Sequence, residues 1–189
     1  TELISSLKPF TMTSSERLWS LLNAVRHVVS NEIPGDFVEC GVWRGGSVMA
    51  IANELTDLGV TNRKIWLYDT FAGMTDPTPA DIEAGTGVTA ADMLSTTSVA
   101  DGDNVWCVAG LPDVQANIRS TGYPFENFTF VEGNVAQTLK SSFPETISLL
   151  RLDTDWYEST RMELEVLYPR LAVGGVCIFD DYGHWQGAR

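Results

Sequence analysis

The stretch "FVECGVWRGGSVMAIANELTDLG" (37–59) runs from a short apolar segment through a glycine-rich turn into an amphipathic segment. Its glycines at 41, 45 and 46 make G-x-x-x-G-G, so the G-x-G-x-x-G pyrophosphate fingerprint is not met. Gly41 permits a tight exit from a strand, and Gly45 and Gly46 let a ligand or a neighbouring strand approach the backbone closely. A helix starting near Ser47 would offer free N–H groups to a carboxylate or phosphate. Glu39, two residues before the first glycine, suits an ammonium group. A ligand with an amino-acid end fits that pair; the same turn could also serve packing alone. The next apolar run, "KIWLYDTF" (64–71), closes on Asp69, an acid placed to accept hydrogen bonds from ribose hydroxyls, as acids do in nucleoside-binding folds. Strand, glycine turn, helix, strand is the opening of a doubly wound α/β fold.

Upstream, "TSSERLWSLLNAVRHVV" (13–29) predicts a helix. Thr13 and Glu16 have capping-box spacing, and Leu18, Leu21, Leu22 and Val25 make the apolar stripe. Pro34 and Gly35 then break the chain. His27 reads as a structural residue of that helix. Downstream, residues 72–110 are rich in Gly, Thr, Asp and Ala with weak periodicity, as expected of a lid or acceptor loop. "LPDVQANIRSTGYP" reads as a helix ended by Gly122 and Pro124. "FTFVEGN", "ISLLRLD" and "GGVCIFDD" read as the third, fourth and fifth strands, with "STRMELEVLYPRL" a helix between the last two. One domain is expected over residues 1–189, its core beginning at 37. The strand runs end at Glu39, Asp69, Gly133, Asp153 and Asp180. Ligands of open α/β sheets bind outside the carboxyl ends of the strands, so repeated acids there mark a site.

The chain has 189 residues, is 44% hydrophobic and carries a formal charge of −13. That charge argues against nucleic acid or an anionic membrane as a partner, because both demand a basic face. No apolar run of about 18 residues is present, so a membrane-spanning helix is not expected. "TELISSLKPF" lacks a basic segment followed by an apolar one, so no signal peptide is expected and the protein reads as cytoplasmic. Cys40, Cys107 and Cys177 show no C-x-x-C spacing and read as small buried hydrophobes in a reducing compartment.

Two stretches, "LLRLDTDWYES" (149–159) and "FDDYGHW" (179–185), end neighbouring strand runs in acid. Adjacent strand ends lie roughly 5 Å apart, so Asp153, Asp180 and Asp181 can converge. Three carboxylates together repel unless a cation neutralises them, and an all-oxygen set favours Mg²⁺, Mn²⁺ or Ca²⁺ over zinc. Alternatives stay open: Asp155 could cap a helix starting at Ser159, and Asp181 could pair with an arginine. His184 is either a general base or packs beside Tyr182 and Trp185.

The segments "IPGDFVECGVWRGGS", "YDTFAGM", "LLRLDTDWYEST" and "GGVCIFDDYGHWQGAR" together resemble the macrocin O-methyltransferase (TylF/MycF-type) family. The resemblance implies a class I methyltransferase: a Rossmann-like, doubly wound, mostly parallel sheet with helices on both faces. It implies a metal-dependent O-methyltransferase, moving a methyl from S-adenosylmethionine to a sugar hydroxyl of a glycoside or polysaccharide. Glu39, Gly41, Gly45, Gly46 and Ser47 would then hold the methionine end of the cofactor. Asp69 would hold the ribose, and Gly133 and Asn134 would lie near the adenine. Asp153, Asp180 and Asp181 would be the metal ligands, with Asp153 or His184 taking the acceptor's proton. Metal-dependent catechol methyltransferases carry a lysine three residues after the first metal aspartate; here that position is Trp156, which favours a sugar over a phenol. A fold of this class is expected to continue past the fifth strand by about 40 residues, so the chain reads as truncated there. An exposed edge strand is an association hazard, and a homo-oligomer, a dimer, is expected. The rival readings are an inactive cofactor- or metal-binding module of the same fold and a nucleotide-binding oxidoreductase; the missing G-x-G-x-x-G counts against the latter.

Overall fold

The computed structural model describes residues 2–97 and 106–188. Strands β1 (Asp36–Cys40), β2 (Ile65–Asp69), β3 (Phe128–Glu132), β4 (Ile147–Leu152) and β5 (Leu171–Phe179) form one sheet in the order β3-β2-β1-β4-β5. Every neighbouring pair is parallel. The chain therefore steps outward from β1 on one side, then returns to start again at β4 on the other. Loops leaving the carboxyl ends of β1 and β4 diverge at that reversal and open a crevice.

Side chains alternate across the sheet, and both faces are apolar because helices cover both. Phe37, Ile65, Leu67 and Leu149 pack on one face against α1 (Glu2–Leu7), α2 (Ser15–Ser30), α3 (Gly46–Asp57) and α5 (Leu111–Arg119). Val38, Cys40, Tyr68, Leu150 and Leu152 pack on the other beneath α6 (Val135–Thr138) and α7 (Tyr157–Val166). Within this alternation Glu39 and Arg151 share the first face and lie directly opposite each other in the β1–β4 register. His27 bonds the carbonyl of Gly174 through Nε2 at 3.0 Å, the structural role expected of it.

The start of α2 corrects the capping-box expectation. Ser14, not Thr13, is the N-cap, accepting from the Arg17 N–H at 3.3 Å. Thr13 is turned instead toward the sheet, where its hydroxyl accepts from Arg151 Nη2 at 3.1 Å. A buried guanidinium is the stronger claimant on that hydroxyl, and Ser14 can serve the helix equally well.

The loop expected at 72–110 is more structured than its weak periodicity suggests, although residues 98–105 lie outside the described residues. It carries α4 (Ala90–Thr96) and a small core of its own, in which Ala90 and Leu94 pack with Trp156, Trp185 and Ala188. Trp156 Nε1 donates to the Thr75 carbonyl at 3.0 Å, and Glu83 pairs with Trp185 as an isolated bridge. Asp81 is fully buried, and its carboxylate accepts from the Tyr157 N–H at 2.7 Å. The first turn of α7 is thus capped by a distant loop. Asp155 does not cap it, contrary to one of the readings left open: the helix begins at Tyr157, and Trp156 holds the N-cap position.

Candidate active site

The glycine turn is fixed by close approach. Gly41 takes φ 82°, and a Cβ there would stand 2.0 Å from the Asp153 carbonyl oxygen, so the turn after β1 packs directly on the loop after β4. A Cβ on Gly46 would meet the Phe10 carbonyl and the Thr11 side chain, both at 2.6 Å. The segment before α2 therefore lies against the first turn of α3. Asp69 anchors the turn from β2: Oδ2 accepts from the N–H groups of Val42 (2.6 Å) and Trp43 (3.1 Å), and Oδ1 from Phe71 N–H (2.8 Å). Gly133 donates its N–H to the Asp69 carbonyl at 2.9 Å, and Asn134 caps α6 through Ala136 N–H. Asp69 is thus a structural anchor as well as a wall of the crevice.

These residues line one cavity of about 460 Å³ at the carboxyl ends of the strands. Every residue expected at a cofactor, metal or proton-transfer position borders it except Gly45, which sits in the turn and caps α3 with φ 89°. Ser47 is buried within the first turn of α3, beside Glu39.

The centre of the site is a residue the sequence reading passed over. Arg151 is buried in β4, and one nitrogen, Nη1, donates both to Glu39 Oε1 and to Asp153 Oδ2, the latter at 2.7 Å. Its Nη2 reaches Asp180 Oδ1 at 2.8 Å. Arg17, largely exposed on α2, takes the other Asp180 oxygen at 2.7 Å. A lone arginine inside "LLRLD" was the available signal, because a cation in a strand buried on both faces demands buried acids. Burial raises the Glu39 carboxyl to about 7, with Arg151 pulling the other way. Its second oxygen, Oε2, is buried without a hydrogen-bond partner among the described residues.

Asp153, Asp180 and Asp181 come together as expected, each with an oxygen within 4.8 Å of the others. Asp155 lies beside them: its backbone is left-handed at φ 64°, and its carboxyl is close enough to Asp181 to feel its charge. Burial first, then the Asp181 charge, holds the Asp155 carboxyl well above the usual range. Asp180 has both oxygens on arginines, whereas Asp181 Oδ2 is buried without a partner. An orphaned carboxylate oxygen inside an all-oxygen cluster fits a hard divalent cation. His184 stands half exposed at the rim, its ring edge-on to Trp185 and its Nε2 3.8 Å from Glu83 Oε1.

A five-stranded parallel sheet in this order, with a glycine turn after the first strand and acids at the ends of β2, β4 and β5, is an open doubly wound α/β fold with its crevice at the carboxyl ends of the strands. The model of the macrocin-O-methyltransferase (TylF) family matches residues 6–189, and the chain belongs to that family. It is 34% identical over 172 residues to demethyldecarbamoylnovobiocin O-methyltransferase of Streptomyces niveus, covering 91% of this chain and 62% of that one. Over 172 residues it is 37% identical to 8-demethyl-8-(2,3-dimethoxy-alpha-L-rhamnosyl)-tetracenomycin-C 4'-O-methyltransferase of Streptomyces olivaceus, again covering 91% and 62%. The solved structure of the O-methyltransferase NovP superposes with a TM-score of 0.75 at 34% identity, over 92% of this chain and 67% of NovP. The chain thus spans about three fifths of the length of the curated relatives it matches.

Proposed function

We propose that the chain is the cofactor-binding and acid-bearing part of an O-methyltransferase. It would move a methyl group from S-adenosylmethionine to a sugar hydroxyl of a small-molecule glycoside, with a divalent cation, Mg²⁺ first, at Asp153, Asp180 and Asp181. The observation that carries this reading is the pair of orphaned oxygens in one cavity, Glu39 Oε2 beside the glycine turn and Asp181 Oδ2 within the acid trio. Glu39 is suited to the ammonium of the methionine end, and Ser47 with the first N–H groups of α3 to its carboxylate. Asp69 is suited to the ribose, and Gly133 and Asn134 to the adenine. Bound at the trio, the cation would supply the charge that lowers the pKa of a coordinated hydroxyl. Asp153 or His184 takes the proton released from the acceptor oxygen. Arg151 holds Asp153 and Asp180 in place, and the small core around Trp156 and Trp185 keeps water from one side of the acids.

The charge of the walls supports an acceptor without phosphate. Between Lys64 and Arg119 the sequence contains no Lys, Arg or His, and the described residues of 72–110 that line the cavity, Gly73, Met74, Thr75 and Cys107, bring no cation to it. Arg17 and Arg151, the arginines lining the cavity among the described residues, are both paired with acids. A diphosphate calls for unpaired cations.

A thermal-shift panel tests the reading, because a ligand that binds only the folded chain stabilises it by about 2.7 kcal/mol at a hundred times its Kd. S-adenosylhomocysteine and Mg²⁺ should each raise the melting temperature, and NAD should not. Silence with both would sink the proposal. Asp181→Asn should abolish the Mg²⁺ response and keep the S-adenosylhomocysteine response; a retained Mg²⁺ response would place the cation elsewhere.

A further inference from the structure

Glu163 is given no role above, yet it is completely buried on α7 and is not among the residues that line the cavity. Its Oε1 accepts from Thr154 Oγ1 at 2.8 Å, the Cys40 thiol lies against it, and Oε2 has no hydrogen-bond partner among the described residues. Burial pushes the carboxyl up to about 8 against the pull of Thr154 and Cys40, so it is neutral at neutral pH. An acid on a surface helix is ordinarily turned to water, and burying one is costly when nothing answers it. What answers Glu163 is Thr154.

Thr154 stands between Asp153 and Asp155, two acids that line the cavity. Its side chain is tied down to α7, and its carbonyl accepts from Trp156 N–H at 2.7 Å. Asp155 next to it is held at φ 64°, a conformation that costs a non-glycine residue on the order of 1 kcal/mol and persists only where the surroundings impose it. Two side-chain bonds tie this loop to α7, the shorter from Thr154 Oγ1 to Glu163 and a longer one, 3.4 Å, from Ser159 Oγ to the Thr154 carbonyl; only the first uses a side chain of the loop itself.

We propose that Glu163 is a positioning residue: by gripping Thr154 from α7, behind the cavity lining, it keeps Asp153 and Asp155 turned into the cavity, and so sets how tightly the acid cluster takes a divalent cation. The inference rests on the metal part of the proposed function. Glu163 touches neither ligand nor reacting atom and acts through one hydroxyl.

The test compares the wild type with Thr154→Val, Glu163→Leu and Glu163→Gln. Three quantities are read: Mn²⁺ affinity and S-adenosylhomocysteine affinity by calorimetry, and amide exchange of residues 153–160 by mass spectrometry. Thr154→Val and Glu163→Leu should weaken Mn²⁺ binding about 10- to 100-fold, the range for losing a group that orients a ligand. Both should speed exchange of the loop and leave S-adenosylhomocysteine affinity unchanged. Glu163→Gln keeps an acceptor for Thr154 and should restore wild-type values. Wild-type Mn²⁺ affinity and exchange in Thr154→Val would overturn the proposal, as would an equal loss of both ligands, which marks general destabilisation. Thr154→Val removes one hydroxyl at constant shape, so it carries the test if Glu163→Leu fails to fold. A wild type that binds no Mn²⁺ would overturn the metal reading itself, and the exchange data alone then decide whether Glu163 holds the loop.

Discussion

Replacing Arg151 by methionine should strip the chain of most of its stability at neutral pH. The guanidinium is the shared partner of Glu39, Asp153 and Asp180 and also donates to Thr13. Removing one member of a buried pair costs about 3–5 kcal/mol because the other charge is left behind unpaired. Here three carboxylates lose their partner together, in a domain whose total stability is on the order of 5–15 kcal/mol. The sign with pH follows from the acids. Burial already holds the Glu39 and Asp153 carboxyls above their usual range, and losing Arg151, which pulls both down, lifts them further; the variant's stability is therefore present below the unfolded values and lost as the pH climbs toward the folded ones. Glu39 stands at about 7 even with the arginine in place, so in the variant the loss should be well advanced at pH 7 and should continue above it. Urea denaturation at pH 5 and pH 7 measures it: the deficit should shrink markedly at pH 5. A variant as stable as wild type at pH 7 would show that the acids do not depend on this cation. Arg151→Lys keeps the charge but not the fork that reaches three acids, and should fall between the two.

Gly41→Ala should abolish S-adenosylhomocysteine binding and lower stability by several times the ordinary cost of a left-handed alanine. Two effects act at this position: the backbone is left-handed at φ 82°, and the added carbon would stand 2.0 Å from the Asp153 carbonyl oxygen. The obstacle is backbone, so no side-chain rotation relieves it; either the glycine turn or the acid loop must move. Gly59 provides the internal reference, with φ 73° and nothing within 4 Å of its would-be Cβ. Gly59→Ala isolates the left-handed penalty, about 1–2 kcal/mol, and should leave ligand binding intact. Calorimetry and denaturation of both variants separate strain from collision. Equal behaviour of the two would mean that β1 and β4 do not meet as closely as Gly41 indicates.

Much of this was readable from residue order. Apolar runs of strand length, each ending in acid or glycine, place Asp69, Asp153, Asp180 and Asp181 at one end of the sheet from residue order alone. The alternation of strands and helices was likewise local information. Arg151 was harder. Its partner Glu39 lies 112 positions away, and only the register of β1 on β4 puts the two side chains opposite each other. Thr13 illustrates the same limit: its spacing to Glu16 satisfies a capping pattern, yet tertiary structure offered it a buried guanidinium and left the cap to Ser14. Asp155 was underestimated because a left-handed backbone at a non-glycine residue is set by surroundings, not by its own preference. The order within residues 72–97 is not legible in residue order because α4 is short and its apolar contacts, Trp156 and Trp185, come from other parts of the chain.

That last arrangement bears on how such enzymes can be rebuilt. A segment that reads as an acceptor loop invites exchange between relatives as a cassette. Here Asp81 supplies the cap of α7, the Thr75 carbonyl takes the Trp156 indole, and Glu83 bridges to Trp185. Those attachments run to the two loops that carry the acids. A graft cut at the loop's ends would therefore change the acids' footing, so divalent-cation affinity should shift with the insert unless the anchoring residues travel with it.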